Sequence, residues 1–245
     1  MYNVSTNKLT IGYGENRREA NGERRKIVQR DLTFSLNAGE LVCMLGRNGC
    51  GKSTLLRTLA GLQPALGGTY EIGDVAVVLT DKLSLENTTV REVVALGRYP
   101  YTSFLGGLTA EDEQVIDESL TQVLGYKTPS SFYLSLFNSL SDGEKQRVLI
   151  AKALAQQTPI ILLDEPTAHL DLPNRILVLQ LLRRLAHEQG KTILISTHEL
   201  ELALRLSDRI LLLSDKGAEL DTAEALKQRD AFTKAFGIDI FNIQI

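Results

Sequence analysis

The run Gly46-Arg47-Asn48-Gly49-Cys50-Gly51-Lys52-Ser53 carries the residue types needed to hold a polyphosphate. It fits G-x-x-x-x-G-K-[ST], follows the apolar stretch Leu41–Leu45 and opens a helix from Ser53 to about Leu59. Glycines at these positions let the backbone curl so that its N–H groups converge on phosphate oxygens, and the helix start adds a favourable partial positive charge. Lys52 then reaches the β- and γ-phosphates, and the Ser53 hydroxyl is placed to ligate Mg²⁺. Cys50 reads as a small residue that fits inside the loop, where a bound nucleotide would shield its thiol. A second constellation is Ile160-Ile161-Leu162-Leu163-Asp164-Glu165, four apolar residues followed by two carboxylates. Beside a phosphate loop, Asp164 reads as a Mg²⁺ carboxylate and Glu165 as the group that polarises an attacking water; simple electrostatic support of the metal is the alternative for Glu165. A third apolar stretch, Thr192–Ser196, ends at Thr197-His198, which would place His198 near the γ-phosphate as a hydrogen-bond donor.

These residues need strands that end together. Candidate strands are Leu32–Leu36, Leu41–Leu45, Val75–Leu79, Ile160–Leu163, Thr192–Ser196 and Ile210–Leu213. Several are apolar on both faces, as central strands of a covered parallel sheet are. Helical patterns lie between them. Thr89 with Glu92 and Ser141 with Glu144 fit capping boxes, while Pro173 suits a first helical turn and Gly190 a helix end. From about Lys82 to Ser139 no strong buried strand is found, so this stretch is expected to be a helical insertion between two strands. The expected class is α/β: a P-loop nucleoside-triphosphatase core with a mainly parallel sheet, an N-terminal antiparallel β region and an inserted helical subdomain. Residues 1–245 read as a single domain, with 1–81 and 151–245 forming the core lobe and 82–150 the helical subdomain.

Composition narrows the function classes. The chain has 245 residues, 43% of them hydrophobic and 23% charged, which excludes a mostly disordered protein. A net charge of −3 argues against a general nucleic-acid coat. The longest apolar runs, such as Leu41–Leu45, fall far short of the ~20 residues that span a bilayer. Two cysteines, Cys43 and Cys50, make no disulfide framework and read as reduced thiols. Arg17, Arg18, Arg24, Arg25 and Lys26 are interleaved with Glu15, Glu19 and Glu23, which reads as a polyanion contact or, more plainly, as a solvated hairpin or loop of mixed charge.

Between the two halves of the phosphate site lies Leu140-Ser141-Asp142-Gly143-Glu144-Lys145-Gln146-Arg147. Alone it is a capped helix start. In order with the phosphate loop, the helical insertion, the Asp-Glu strand, Ala168-His169-Leu170-Asp171 and His198, it resembles the signature motif of ATP-binding-cassette (ABC) ATPases, and the resemblance covers roughly residues 9–215. It implies that two copies close head to tail around two ATP molecules. Each ATP is then held by Gly46, Asn48, Gly49, Cys50, Gly51, Lys52, Ser53 and Thr54 of one copy and by Ser141 and Gly143 of the other. Asp171 becomes the dimer-contacting D-loop residue and His198 the switch histidine. Tyr13 lies where the family keeps an aromatic that stacks on adenine; a packed strand tyrosine is the alternative.

Two residues depart from the pattern. Asp142 replaces a usual glycine and is expected to face solvent in the first helical turn. Thr80-Asp81 stands where a glutamine usually touches Mg²⁺, leaving Thr80 as a candidate oxygen donor. The segment Val94-Ala95-Leu96-Gly97-Arg98-Tyr99-Pro100 resembles the importer ATPases for iron-siderophores, haem and cobalamin. There, Gly97, Arg98 and Tyr99 would contact a polytopic permease; packing within the subdomain is the plainer role. The resemblance implies ATP and Mg²⁺ as cofactors, a permease dimer and, through it, a substrate-binding protein as partners, no nucleic acid, and a peripheral position on the cytoplasmic face of the inner membrane. A soluble cassette without a permease, acting in a cytosolic assembly or regulatory complex, is the competing class.

Overall fold

Strand β3 shows how the sequence builds the centre of the molecule. In this computed structural model, which describes residues 2–14, 26–79, 85–102 and 107–239, all six of its residues, Leu41–Gly46, are buried. Alternate side chains point to opposite faces of a strand. Leu41, Cys43 and Leu45 therefore enter one hydrophobic cluster while Val42 and Met44 enter another on the far side of the sheet. A strand apolar on both faces has to be central and covered, and each such buried leucine contributes about 1.5–3 kcal/mol.

The chain runs β1 (Tyr2–Tyr13), β2 (Lys26–Asn37), β3, α1 (Lys52–Leu59), β4 (Gly67–Ile72), β5 (Val75–Val78), α2 (Val90–Ala95), a 3-10 turn (Leu96–Tyr101), α3 (Ala110–Leu124), α4 (Ser130–Tyr133) and α5 (Asp142–Ala155). It continues with β6 (Ile160–Asp164), α6 (Leu172–Gln189), β7 (Thr192–Ser196), α7 (Leu200–Leu206), β8 (Arg209–Ser214), β9 (Gly217–Asp221), α8 (Ala223–Gln228) and α9 (Ala231–Phe236). The core sheet has the order β5-β6-β7-β3-β8-β9, parallel except for the final β8–β9 pair. A separate antiparallel sheet, β2-β1-β4, is the expected N-terminal β region. Both foreseen capping boxes form, Thr89 with Glu92 and Ser141 with Glu144, and a third joins Thr109 to Asp112 at the start of α3. Pro173 lies in the first turn of α6 and Gly190 closes it in the left-handed region. The signature helix α5 runs from Asp142 to Ala155, bridging the stretch around residue 150 where the helical subdomain is expected to meet the core lobe.

The expectation that Gly97 and Arg98 meet a membrane partner does not fit their placement. A Cβ on Gly97 would lie 2.3 Å from the Lys152 carbonyl oxygen, so glycine here permits backbone contact between the 3-10 turn and α5. Arg98 is only 4% exposed. It donates to Asp112 Oδ1 (2.8 Å), the Ala155 carbonyl (2.9 Å) and Gln157 Oε1 (2.8 Å), and its guanidinium sits 4.1 Å from the centre of the Tyr101 ring. Thus one cation binds the C-terminal end of α5 to the start of α3. Tyr99, 76% exposed, alone of the three faces outward. The hydrogen bonds of the Thr109 cap and the Arg98 guanidinium hold the Asp112 carboxyl at about 2, below its ordinary 3.8. Among the described residues no helix is long and apolar enough to cross a membrane. At the C-terminal end, Phe232 is buried and Phe236 packs against the core, which makes α9 a packing element; Phe241 lies outside the described residues.

Candidate active site

Because β3, β6 and β7 run parallel and adjacent, their C-terminal ends meet at one edge of the sheet. That edge is where ligands bind in open α/β sheets. The register pairs Met44 with Ser196 and Ser196 with Asp164, so the phosphate loop, the two carboxylates and Thr197-His198 emerge side by side.

The loop after β3 closes tightly. A Cβ on Gly46 would lie 2.6 Å from the Leu213 carbonyl and 2.7 Å from Cys50 Sγ, and one on Gly51 would meet Val28 at 2.7 Å. Gly51 caps α1 with φ 104°, a left-handed conformation that suits glycine. Gly49 is also left-handed, but a Cβ there would meet nothing within 4 Å, leaving approach space over the loop. Lys52 turns its Nζ back onto the carbonyls of Gly46 (2.9 Å) and Arg47 (3.3 Å). A cleft of about 510 Å³ opens over this loop, lined by Asn48, Gly49, Gly51, Lys52, Ser53 and Thr54 together with Tyr13, Glu165 and His198. Tyr13 is half exposed and its hydroxyl lies 3.1 Å from Thr54 Oγ1, so its ring is held at the cleft rim. Cys50 does not line the cleft but packs partly buried against the core, and burial pushes its thiol up from an ordinary 9.0.

Three hydroxyl and carboxyl groups converge behind Lys52. Asp164 Oδ1 accepts from Ser53 Oγ (3.1 Å) and from Ser196 Oγ (2.6 Å). Glu165 follows with φ 49°, a left-handed conformation that turns its side chain out of the strand direction. His198 Nε2–H donates to Glu165 Oε1 at 2.5 Å. Next to it, Arg175 joins the Leu170 carbonyl (2.6 Å) to Glu199 (2.5 Å), tying the Ala168–Asp171 turn to the His198 loop. The Ser53 hydroxyl beside the Asp164 carboxylate is a hard-oxygen donor pair of the kind that suits Mg²⁺, an ion that keeps several waters and takes phosphate oxygens as well. Thr80 lies outside the described residues.

Ser141 and Gly143 are not brought into this cleft. Ser141 caps α5, its hydroxyl donating to Glu144 Oε2 at 2.7 Å, and that hydroxyl with the Ser141 N–H holds the Glu144 carboxyl below its ordinary value. A Cβ on Gly143 would meet the Asn174 side chain at 2.8 Å. Asn174 in turn donates to Asp171 Oδ1 (2.7 Å) and accepts from Arg147 (3.2 Å), so the signature start and the Asp171 turn form one unit. Asp142 is exposed in the first turn of α5, as expected.

Sequence reasoning misses three contributors, Gln29, Asn174 and Ser196, and reads Lys26 as part of a mixed-charge stretch. Gln29 Nε2 donates to the carbonyls of Cys50 (2.8 Å) and Ser214 (3.0 Å), bracing the loop from β2, while Lys26 and Val28 line the cleft. No motif marks Gln29, Asn174 or Ser196, because each has a partner on a different element.

A Gly-rich strand-to-helix loop with its lysine and hydroxyl, and a carboxylate pair on the neighbouring strand, define a P-loop nucleoside triphosphatase. The signature helix and its helical cluster narrow this further. The ABC transporter family matches residues 29–168, more than half of the chain, and the chain belongs to that family. It is an ATP-binding protein of this class. The iron(3+)-hydroxamate import ATP-binding protein FhuC of Bacillus subtilis is 36% identical over 256 residues, covering 98% of this chain and 89% of FhuC. A solved metal-chelate type ABC transporter in an inward-facing conformation is 30% identical with a TM-score of 0.84, covering 97% of this chain and 90% of that one. A dimeric ATP-binding cassette in a post-hydrolysis state with ADP and phosphate is 27% identical with a TM-score of 0.73, covering 90% and 98%.

Proposed function

We propose that this protein is the ATP-hydrolysing subunit of an importer for an iron chelate or a chemically related large metal complex such as haem or cobalamin. It would work at the cytoplasmic face of the cell membrane beneath a polytopic permease, which a binding protein supplies. The observation that carries the reading is the convergence of Lys52, Ser53, Asp164, Glu165 and His198 at one sheet edge, in a chain whose relatives include a hydroxamate importer's ATP-binding protein.

The backbone N–H groups around Gly49–Ser53 and the Lys52 ammonium bind the β- and γ-phosphates, Lys52 exchanging the loop carbonyls for phosphate oxygens. Ser53 and Asp164 are the residues that would hold Mg²⁺, whose charge offsets that of the phosphates; Thr80 is a further candidate. The Tyr13 ring at the cleft rim offers its face to the adenine. Glu165 takes a proton from the attacking water as its oxygen bonds to the γ-phosphorus and the bond to the β–γ bridging oxygen breaks, giving ADP and phosphate. His198 orients Glu165 and donates toward the γ-phosphate. Ser141 and Gly143 of a second copy complete the site, with Asp171 at the contact between copies. Since they stand outside the cleft of their own chain, binding energy from the γ-phosphate is realised only on closure, and hydrolysis reopens the pair. Tyr99, an outward-facing side chain of the 3-10 turn, faces the permease.

The test uses Glu165→Gln, which retains ATP. Affinity capture of this variant with ATP from detergent-solubilised native membranes is expected to bring down a stoichiometric many-helix permease. Reproducible capture of soluble proteins alone would overturn the transport reading in favour of a cytosolic cassette.

A further inference from the structure

Ser196 is the last residue of β7 and is fully buried. It carries one hydroxyl and uses it twice. The O–H donates to Asp164 Oδ1 at 2.6 Å, and the oxygen accepts from the Glu165 backbone N–H at 2.9 Å. We propose that Ser196 is a positioning residue of the hydrolytic site, setting the Asp164 carboxylate and the Glu165 turn together through this single hydroxyl. The inference rests on the ATPase reading above and deepens it.

Asp164 ends β6, and the ladder pairs it with Ser196, so the serine side chain lies level with the carboxylate. A lone aspartate at a strand end can rotate about its terminal torsion, which is broad. Two donors on the same oxygen, Ser196 Oγ and Ser53 Oγ, fix that torsion from opposite elements, β7 and α1. The same hydroxyl closes on the N–H of Glu165, where the chain leaves the strand with φ 49°. A non-glycine residue persists in that conformation only where its surroundings enforce it. Serine suits both tasks because a hydroxyl is the smallest group that donates and accepts at once. Without it, the Glu165 N–H loses its partner, the Asp164 carboxylate loses a donor at 2.6 Å, and the Glu165 turn loses an anchor. Metal affinity and the proton-accepting geometry are therefore expected to weaken together.

A serine that merely satisfied the backbone would behave differently, since its loss would lower stability and leave metal affinity untouched. The experiment compares Ser196→Ala and Ser196→Thr with the wild-type full-length chain. Four quantities are read: kcat and KM for ATP, the half-saturating Mg²⁺, Mn²⁺ binding in the presence of ADP by electron paramagnetic resonance, and the melting temperature. Ser196→Ala is expected to lower kcat by about 10- to 100-fold. It should weaken Mn²⁺ binding severalfold, with ATP binding in chelator unchanged, and threonine should recover most of both losses. If the alanine variant does not fold, Ser196→Cys, whose thiol is a weak donor, is read in its place. The inference is overturned if kcat and Mn²⁺ binding stay within about twofold of wild type whatever the melting temperature, or if a stably folded Ser196→Thr shows the full alanine loss. A wild-type chain that hydrolyses no ATP would instead overturn the ATPase reading itself.

Discussion

Replacing Gly97 with alanine tests the contact that locks the 3-10 turn to the signature helix. The new Cβ would lie 2.3 Å from the Lys152 carbonyl oxygen and 3.0 Å from Ala155 Cβ. Ordinary contact begins at 3.4 Å, so the two elements must part by roughly 1 Å. Helix α5 is the harder of the two to displace, because Val148, Ile150 and Ala151 along it are fully buried in the core. The turn moves instead and stretches the Arg98 bond to the Ala155 carbonyl beyond hydrogen-bonding range. Overpacking costs about 1–3 kcal/mol and the lost bond about 1 kcal/mol more. For a chain of this size, a total of about 2–4 kcal/mol lowers the melting temperature by roughly 5–15 °C. Gly107→Ala is the control, since a Cβ there meets nothing within 4 Å and its backbone is not left-handed. Thermal unfolding of both variants by circular dichroism, without nucleotide, gives the comparison. A Gly97→Ala chain melting within about 1 °C of Gly107→Ala would refute the contact and with it the clamp on α5.

Lys52→Ala removes the ammonium from the phosphate loop and should weaken binding of a fluorescent ATP analogue by about 10- to 100-fold; unchanged affinity would remove Lys52 from the phosphate site. In the folded chain Cys50 should react with a thiol reagent more slowly at pH 8 than an ordinary cysteine, because its pKa is raised. Its rate should climb with pH from 7 to 9 as the thiolate forms and fall when ATP is added. Cys43, fully buried and pushed up to about 12, should stay silent until unfolding; equal reactivity of the two thiols would contradict this. Asp112 titrates lower in the folded chain than in the unfolded one, so it stabilises the fold above about pH 4 and loses that contribution as the pH falls toward 2. Urea midpoints for Asp112→Asn should therefore lie below wild type at neutral pH and converge with it in acid, whereas a gap independent of pH would contradict the assignment.

How far the sequence reveals the molecule depends on how local each signal is. The phosphate loop, the strands at Leu41, Ile160 and Thr192, the caps at Thr89 and Ser141 and the outward Asp142 all depend on neighbours a few residues away, and all were legible. The Thr109 cap passed unread because aspartate rather than glutamate closes it. The permease role of Arg98 came from the family resemblance, with packing inside the subdomain as the plainer reading; its burial follows from Asp112 on the next helix and from two groups on the α5 side, none of which periodicity links to it. Gln29 and Ser196 were silent for the same reason. Their partners are supplied by the sheet order and register, which no run of adjacent residues encodes.

The central claim is that Glu165, held by His198 at the mouth of a phosphate-binding cleft, drives ATP hydrolysis. Steady-state hydrolysis of Mg²⁺-ATP by the wild-type and Glu165→Gln chains, with ATP affinity measured separately, addresses it directly. The amide keeps the shape of the side chain but cannot take the proton, so turnover should fall by about 10²- to 10⁴-fold while ATP affinity stays within about twofold. A Glu165→Gln chain that turns over ATP at close to the wild-type rate would contradict the account.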